Sequence, residues 1–134
     1  MKFSYFIDEY DETLELINKS FNTNASKETF FLSNNQKLLL LKNENEIIGT
    51  CLITLKNNPI NNTKTFYLDY ICIKEEYRNR GLGSKIIKEV ERIARSENIN
   101  YLELTSNRNR EYARKMYLNE GMTIRDTDVF FKEL

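Results

Sequence analysis

Two of the chain's four glycines stand one residue apart, in the run Arg78-Asn79-Arg80-Gly81-Leu82-Gly83. They mark the junction between an apolar run and an amphipathic one. Helix starts favour Ser, Thr, Asp or Asn, and a glycine inside the first turn costs up to about 1 kcal/mol relative to alanine. Bare backbone here therefore answers another need. One is the close approach of an anion such as a pyrophosphate, which the unpaired N–H groups and dipole of a helix start can seat. Arg78 and Arg80 would then add charge at the rim. The other is tight packing of the helix start, and the spacing leaves both readings open. No Gly-Lys-Ser/Thr follows, so this is not a Walker loop. No third glycine follows either, so it is not the dinucleotide fingerprint.

Other reactive residues are sparse. The chain has no histidine, which removes His triads and His-ligated metals. Cys51 and Cys72 are too few for a zinc site or a disulfide framework. No resident metal is expected. Cys72 has no obvious base beside it to activate a thiolate, so it reads as a core residue facing Cys51. Asp69 lies inside the strongest strand candidate and Glu103 inside another.

The elements that must hold these residues are legible from periodicity. Lys2 to Ile7 is a weak first strand. Asp8 or Asp11 caps a helix to about Ser20, with Leu14, Ile17 and Phe21 on its buried face. Ser26 caps a second, short helix carrying Phe30 and Phe31. Lys37 to Leu41 and Ile47 to Leu55 form a hairpin about the polar turn Lys42 to Glu46. Lys56 to Lys64 is a loop within one sheet, followed by the strand Thr65 to Ile73. On that strand a period of two puts Asp69 on the face of Tyr67, Ile71 and Ile73. Leu82, Ile86, Ile87, Val90, Ile93 and Ala94 repeat at helical spacing to about Ser96. Tyr101 to Thr105 is a short strand, and Arg110 to Glu120 a helix closed by Gly121. Met122 to Leu134 holds two short strand candidates around Asp126 to Asp128. This order predicts a mixed α/β sheet with antiparallel and parallel pairing, in one domain over residues 1–134.

At this point the sequence resembles the GNAT superfamily of acetyl-CoA-dependent N-acetyltransferases. Arg78-x-x-Gly81-x-Gly83 matches the family's Arg/Gln-x-x-Gly-x-Gly/Ala, after a strand ending Ile71-Cys72-Ile73 and the aromatic Tyr77. Arg110-x-x-Ala113-x-x-Met116-Tyr117-x-x-x-Gly121-Met122 looks like its R/N-x-x-A-x-x-F-Y-x-x-x-G-F, with methionine at both Phe positions. The resemblance implies an acyl-CoA N-acyltransferase fold of roughly six to seven strands and about four helices, with strands splayed at a cofactor cleft. It implies acetyl-CoA as cosubstrate. The pantetheine arm would pair with Ile71, Cys72 and Ile73, and the pyrophosphate would rest on the segment Arg78, Asn79, Arg80, Gly81, Leu82, Gly83 and Ser84. Arg110 or Asn107 would touch the arm. The reaction implied is direct attack by a neutral primary amine, of a small molecule or a protein, with Asp69 or Glu103 as base and Tyr117 protonating the departing thiolate. An acyl-CoA-binding regulator without turnover is the alternative.

In this fold the acceptor site draws on the first helices and the last strands. Asp8, Glu9, Asp11, Glu12, Glu15, Glu28, Asp126 and Asp128 fall there, an acidic rim suited to a cationic acceptor or alternatively a complement to a helix dipole. Twenty basic and twenty acidic residues give a formal net charge of zero, which argues against a whole-surface nucleic-acid binder. Met1 to Tyr10 has no long apolar run and no segment approaches a membrane span, so neither signal peptide nor membrane partner is expected. With two cysteines, a reducing, cytoplasmic setting is the simplest expectation, and a homodimer is possible.

Overall fold

The computed structural model describes residues 1–134. One sheet runs in sequence order from β1 (Lys2–Tyr5) through β2 (Gln36–Asn43), β3 (Glu46–Asn58) and β4 (Thr63–Ile73) to β5 (Tyr101–Glu103). The first three pairings are antiparallel, and β4–β5 is parallel. Helix α1 (Tyr10–Phe21) covers one face of the sheet, and α2 (Leu82–Ser96) covers the other, with α3 (Glu111–Asn119) packed beside it.

The sheet separates two apolar cores. Ile86, Ile87 and Val90 of α2 pack on Leu39, Leu41, Ile48, Cys51, Phe66 and Leu68. On the other face Leu16 and Ile17 of α1 pack on Leu38, Leu40, Ile47 and Cys72. β2 feeds alternate leucines to both, so Leu38 to Leu41 is a continuous buried run. The two cysteines therefore lie in different cores and do not face one another.

Five strands and three α-helices are fewer than the expected six to seven and about four. Ser26 starts a turn rather than a helix, held by Phe30 N–H donating to its carbonyl at 2.8 Å. Strand Tyr101 to Thr105 stops at Glu103. Met122 to Leu134 forms no strand, and Val129, Phe130 and Phe131 are exposed. The Lys56 to Lys64 loop shrinks to Pro59–Asn62, because β3 and β4 extend into it. Neither Asp8 nor Asp11 caps α1, where Glu9 holds the N-cap position.

Glu9 ties that helix start to β2. Its carboxylate accepts from the N–H groups of Ile7 and Asp8, both at 2.9 Å, and from Lys42 Nζ at 3.1 Å. Burial pushes its pKa up, but these hydrogen bonds outweigh it and bring the pKa down to about 2. A depressed carboxylate stabilises the fold above its unfolded pKa, and that contribution fades as pH falls toward the folded value. Glu9→Gln is expected to cost roughly 0.5–1 kcal/mol at neutral pH after solvent screening. Urea titrations should show the gap to the parent protein closing between the ordinary 4.5 and about 2; a gap that persists there would contradict the assignment.

Candidate active site

The β4–β5 ladder consists of Thr65 with Tyr101, Phe66 with Leu102 and Tyr67 with Glu103. Beyond Tyr67, β4 continues to Ile73 while the chain after Glu103 leaves the sheet. A cavity of about 180 Å³ sits in that opening, lined by Leu68 to Ile71 on one side and Leu104 and Thr105 on the other. Phe21, Arg110 and Tyr117 complete its wall. A second cavity of about 340 Å³ adjoins it along Ile71 to Ile73 and reaches Arg78, Asn79 and the Gly81 to Ser84 turn. Phe21, Ile71, Arg110 and Tyr117 line both, so the two cavities form one bent cleft.

A bulge shapes the bend. Thr50 pairs with Cys72 and Leu52 with Asp69, so Cys51 spans both Tyr70 and Ile71. Tyr70 takes a left-handed φ of 50°. The extra residue reverses the alternation of β4. Phe66 and Leu68 face α2 before the bulge; after it Ile71 and Ile73 do, and Cys72 turns toward α1. Asp69 therefore does not share a face with Ile71 and Ile73, as a period of two predicts. It pairs with Leu52, whose side chain packs in the α1-side core.

The glycines answer different needs. Gly81 has φ 73°, and a Cβ there would meet nothing within 4 Å. It supplies a left-handed helix entry facing open space. A Cβ on Gly83 would lie 2.7 Å from Met116 Sδ, so that glycine lets α3 approach α2. Lys85 N–H donates to Gly81 carbonyl at 3.1 Å as the first helical bond. The amides of Leu82, Gly83 and Ser84 precede it and lack intrahelical acceptors. No acidic residue stands in that turn, so the positive end of the helix is not neutralised locally.

The β2–β3 turn holds this loop in place. Tyr77 Oη donates to Glu46 Oε1 at 2.7 Å, and Lys74 Nζ lies 2.6 Å from Glu46 Oε2. Arg78 Nε donates to Ile73 carbonyl at 2.9 Å, fixing its guanidinium near the strand end. Arg80 instead lies over the Tyr77 ring at 5.2 Å and donates to Glu76 carbonyl at 3.2 Å. Its side chain is outside the cleft lining, unlike Arg78.

Asp69 and Tyr117 line the same cavity. Burial raises the Asp69 carboxyl above its ordinary value. Burial also raises the Tyr117 phenol, with the nearby Arg110 charge opposing, so the phenol stays protonated at neutral pH. Glu103 pairs with Tyr67 at the last rung but lines neither cavity. Asn107 is also outside; its side chain accepts from Asn109 N–H at 3.1 Å in the turn before α3. Burial raises the Cys72 thiol, so it carries little thiolate. None of the eight acids of the anticipated rim lines the cleft. Glu9 is engaged as described, and Glu12 accepts from Ile47 N–H at 2.7 Å. Phe21, Leu104 and Thr105 escape sequence reasoning as cleft residues. Phe21 carries the helical spacing of a core residue, and no local signal marks the other two.

The sequence profile of the acetyltransferase (GNAT) family matches residues 4–122. No curated protein gives a significant sequence match. Solved structures of the same fold include ribosomal-protein-alanine N-acetyltransferase from Brucella melitensis biovar Abortus 2308, at 14% identity and TM-score 0.85, over 100% of both chains. An aminoglycoside acetyltransferase from an uncultured soil metagenomic sample has 15% identity and TM-score 0.83, over 99% of this chain and 95% of its own. Glucosamine-6-phosphate N-acetyltransferase from Arabidopsis thaliana has 14% identity and TM-score 0.76, over 98% and 99%.

The packing role of Gly83 is separable from any anion seat. Gly83→Ala gains up to about 1 kcal/mol of helix propensity but crowds Met116, whose flexible end must shift, so the single variant is expected within about 1 kcal/mol of the parent protein. Adding Met116→Ala opens that space, so the double variant should lose less than the sum of the two single effects. Strict additivity in urea denaturation would mean that the glycine is not there for α3.

Proposed function

The chain belongs to the GNAT acetyltransferase family, and from that premise we propose that it transfers the acetyl group of acetyl-CoA to a primary amine by direct attack. Acyl transfer from acetyl-CoA is the family's general activity; the amine and the mechanism are our reading. The observation that carries it is the meeting of Asp69 and Tyr117 on one cavity that opens into the cleft at the glycine turn.

Under this reading the pyrophosphate lies on the free amides of Leu82, Gly83 and Ser84, with Arg78 at the rim. The pantetheine arm follows Ile71 to Ile73, where β4 has lost its β5 neighbour, and adds to that edge as a strand would. A backbone N–H at the bulge polarises the thioester carbonyl. The amine reaches the carbonyl from the Asp69 side. An alkylammonium has a pKa near ~10.4, so few molecules are neutral at pH 7. Asp69 takes the proton, directly or through water, and its place on the cavity wall, which Glu103 does not share, favours it. The neutral nitrogen bonds to the acetyl carbon, the carbon–sulfur bond breaks, the thiolate receives the Tyr117 proton, and the proton lost by the now cationic nitrogen returns to the phenolate directly or through water. Solved relatives named for a protein, an aminoglycoside and a sugar phosphate share the fold, so the fold does not select the acceptor.

Tyr117→Phe keeps the ring and nearly all the buried area, so stability should stay near normal. The single-turnover rate should fall roughly 10²- to 10⁴-fold if the phenol is the acid. A rate equal to the parent protein's would leave Tyr117 as a packing residue. Asp69→Asn should lower kcat/KM by roughly 10²-fold near neutral pH. That deficit should shrink as pH rises toward the amine pKa, because free amine no longer needs a base. A deficit independent of pH would remove Asp69 from proton transfer.

A further inference from the structure

Tyr70 carries a feature that acetyl-CoA does not explain. Its φ of 50° is left-handed, a conformation that bulky L-residues rarely adopt and that costs on the order of 1 kcal/mol or more. A glycine or asparagine would hold the same bulge without that cost. The tyrosine ring is also not buried as compensation: the residue is 42% exposed. It meets the Phe21 ring edge-on, with centroids 5.0 Å apart at 86°. Both rings line the small cavity next to Asp69.

The charges around that cavity limit what it accepts. Asp69 makes no ion pair or hydrogen bond within the protein. Arg110 on the α3 side brings a guanidinium to the same wall. A polycation would gain one attraction here and meet one repulsion. At about 180 Å³ the cavity is smaller than the ~300 Å³ and above of drug-sized sites, so it admits the amine end and leaves the remainder at the mouth. There the exposed Tyr70 ring and the perpendicular Phe21 ring form an apolar corner, in which an aromatic group can stack on one ring and meet the other edge-on.

We propose that Tyr70 and Phe21, together with Asp69, form an acceptor subsite for a primary monoamine bearing an aromatic or flat apolar group. This rests on the acetyl-transfer reading above. Tyr70 and Phe21 act as specificity-determining residues, while Asp69 receives the ammonium. The strain at Tyr70 is retained because the ring must stand at this corner.

The experiment begins with acetyl-CoA binding by calorimetry, then follows thiol release with phenethylamine, spermidine and kanamycin as acceptors. The expected result is a kcat/KM for phenethylamine roughly tenfold or more above either polycation. Tyr70→Gly relieves the strain but gives up the Phe21 ring contact and frees the unfolded chain, so it should melt within a few degrees of the parent protein. Its KM for phenethylamine should rise roughly tenfold while acetyl-CoA affinity holds, and Tyr70→Phe should retain the parent KM. Phe21→Leu provides a second variant, with a smaller rise in the same KM. Preference for spermidine or kanamycin overturns the inference, as does an unchanged phenethylamine KM in Tyr70→Gly and Phe21→Leu. Acetyl-CoA binding without phenethylamine-dependent thiol release overturns the subsite alone. Absence of acetyl-CoA binding overturns the enzyme reading and the subsite with it.

Discussion

The cleft exists because β4 keeps its pairing with β3 while losing β5. The ladder to β5 ends at Tyr67 and Glu103, yet the ladder to β3 runs on to Ile73. A strand held on one side alone exposes backbone along the other, which is costly unless water or a ligand pairs with it. The bulge at Tyr70 falls inside that open stretch. It increases the local twist and turns the following residues over. Cys72 thus enters the α1-side core beside Thr50, with Sγ 3.1 Å from Thr50 Oγ1, and Ile71 and Ile73 return to the α2 side. Both cores therefore grip β4 beyond the point where its outer neighbour leaves.

That grip also sets the electrostatics. The α2 start projects its unpaired amides at one end of the cleft, and nothing acidic in its first turn competes for them. Three acids on the elements around the cleft are engaged elsewhere. Glu9 holds Lys42 and two backbone amides, Glu12 holds Ile47 N–H, and Glu46 holds Tyr77 and Lys74. The cleft is left with Arg78 near the glycine turn, Arg110 on the wall shared by both cavities and one carboxylate in the opening. In the proposed reaction the polyanionic thioester would take the end at Arg78 and the helix start, and the amine the end at Asp69.

Much of this was legible in the residue order. Helical spacing from Leu82 to Ala94 places a helix ending near Ser96, in agreement with α2, because an amphipathic stripe is a strong local signal. The Arg78-x-x-Gly81-x-Gly83 turn and the Ala113, Met116, Tyr117 face pointed to the cleft. The bulge was not legible, since its left-handed residue is a tyrosine rather than a glycine; the period of two then carried Asp69 to the wrong company. The split between the glycines was hidden for a different reason. Gly83 answers to Met116, thirty-three positions away, and no local pattern reports such a contact. The tail reads as strand by composition, but the outer strand β5 offers three paired residues against which a further strand would have to register. The acidic segments read as a rim because charge can be counted from sequence, whereas the direction in which each carboxylate leaves the fold cannot, and none of the eight lines the cleft.

The proposed reaction sets Asp69 a demanding task, and its placement addresses it. An alkylammonium near ~10.4 and an ordinary carboxylate near ~3.9 differ by about 6.5 pKa units, or roughly 9 kcal/mol against proton transfer. No hydrogen bond can bridge that gap in water. Burial narrows it from both sides, since it raises the pKa of a carboxylate and lowers that of an ammonium. The Asp69 carboxyl is already raised by burial before any ligand enters. Arg110 on the same wall disfavours the ammonium further. The nitrogen has no lone pair until the ammonium gives up a proton, so Asp69 takes that proton before attack, and attack on the carbonyl then draws the small neutral population forward. The carboxylate need not deprotonate every bound amine. It has to hold the ammonium at the opening and take one proton from it beside the thioester, which asks for a place and a dry wall more than for a strong base.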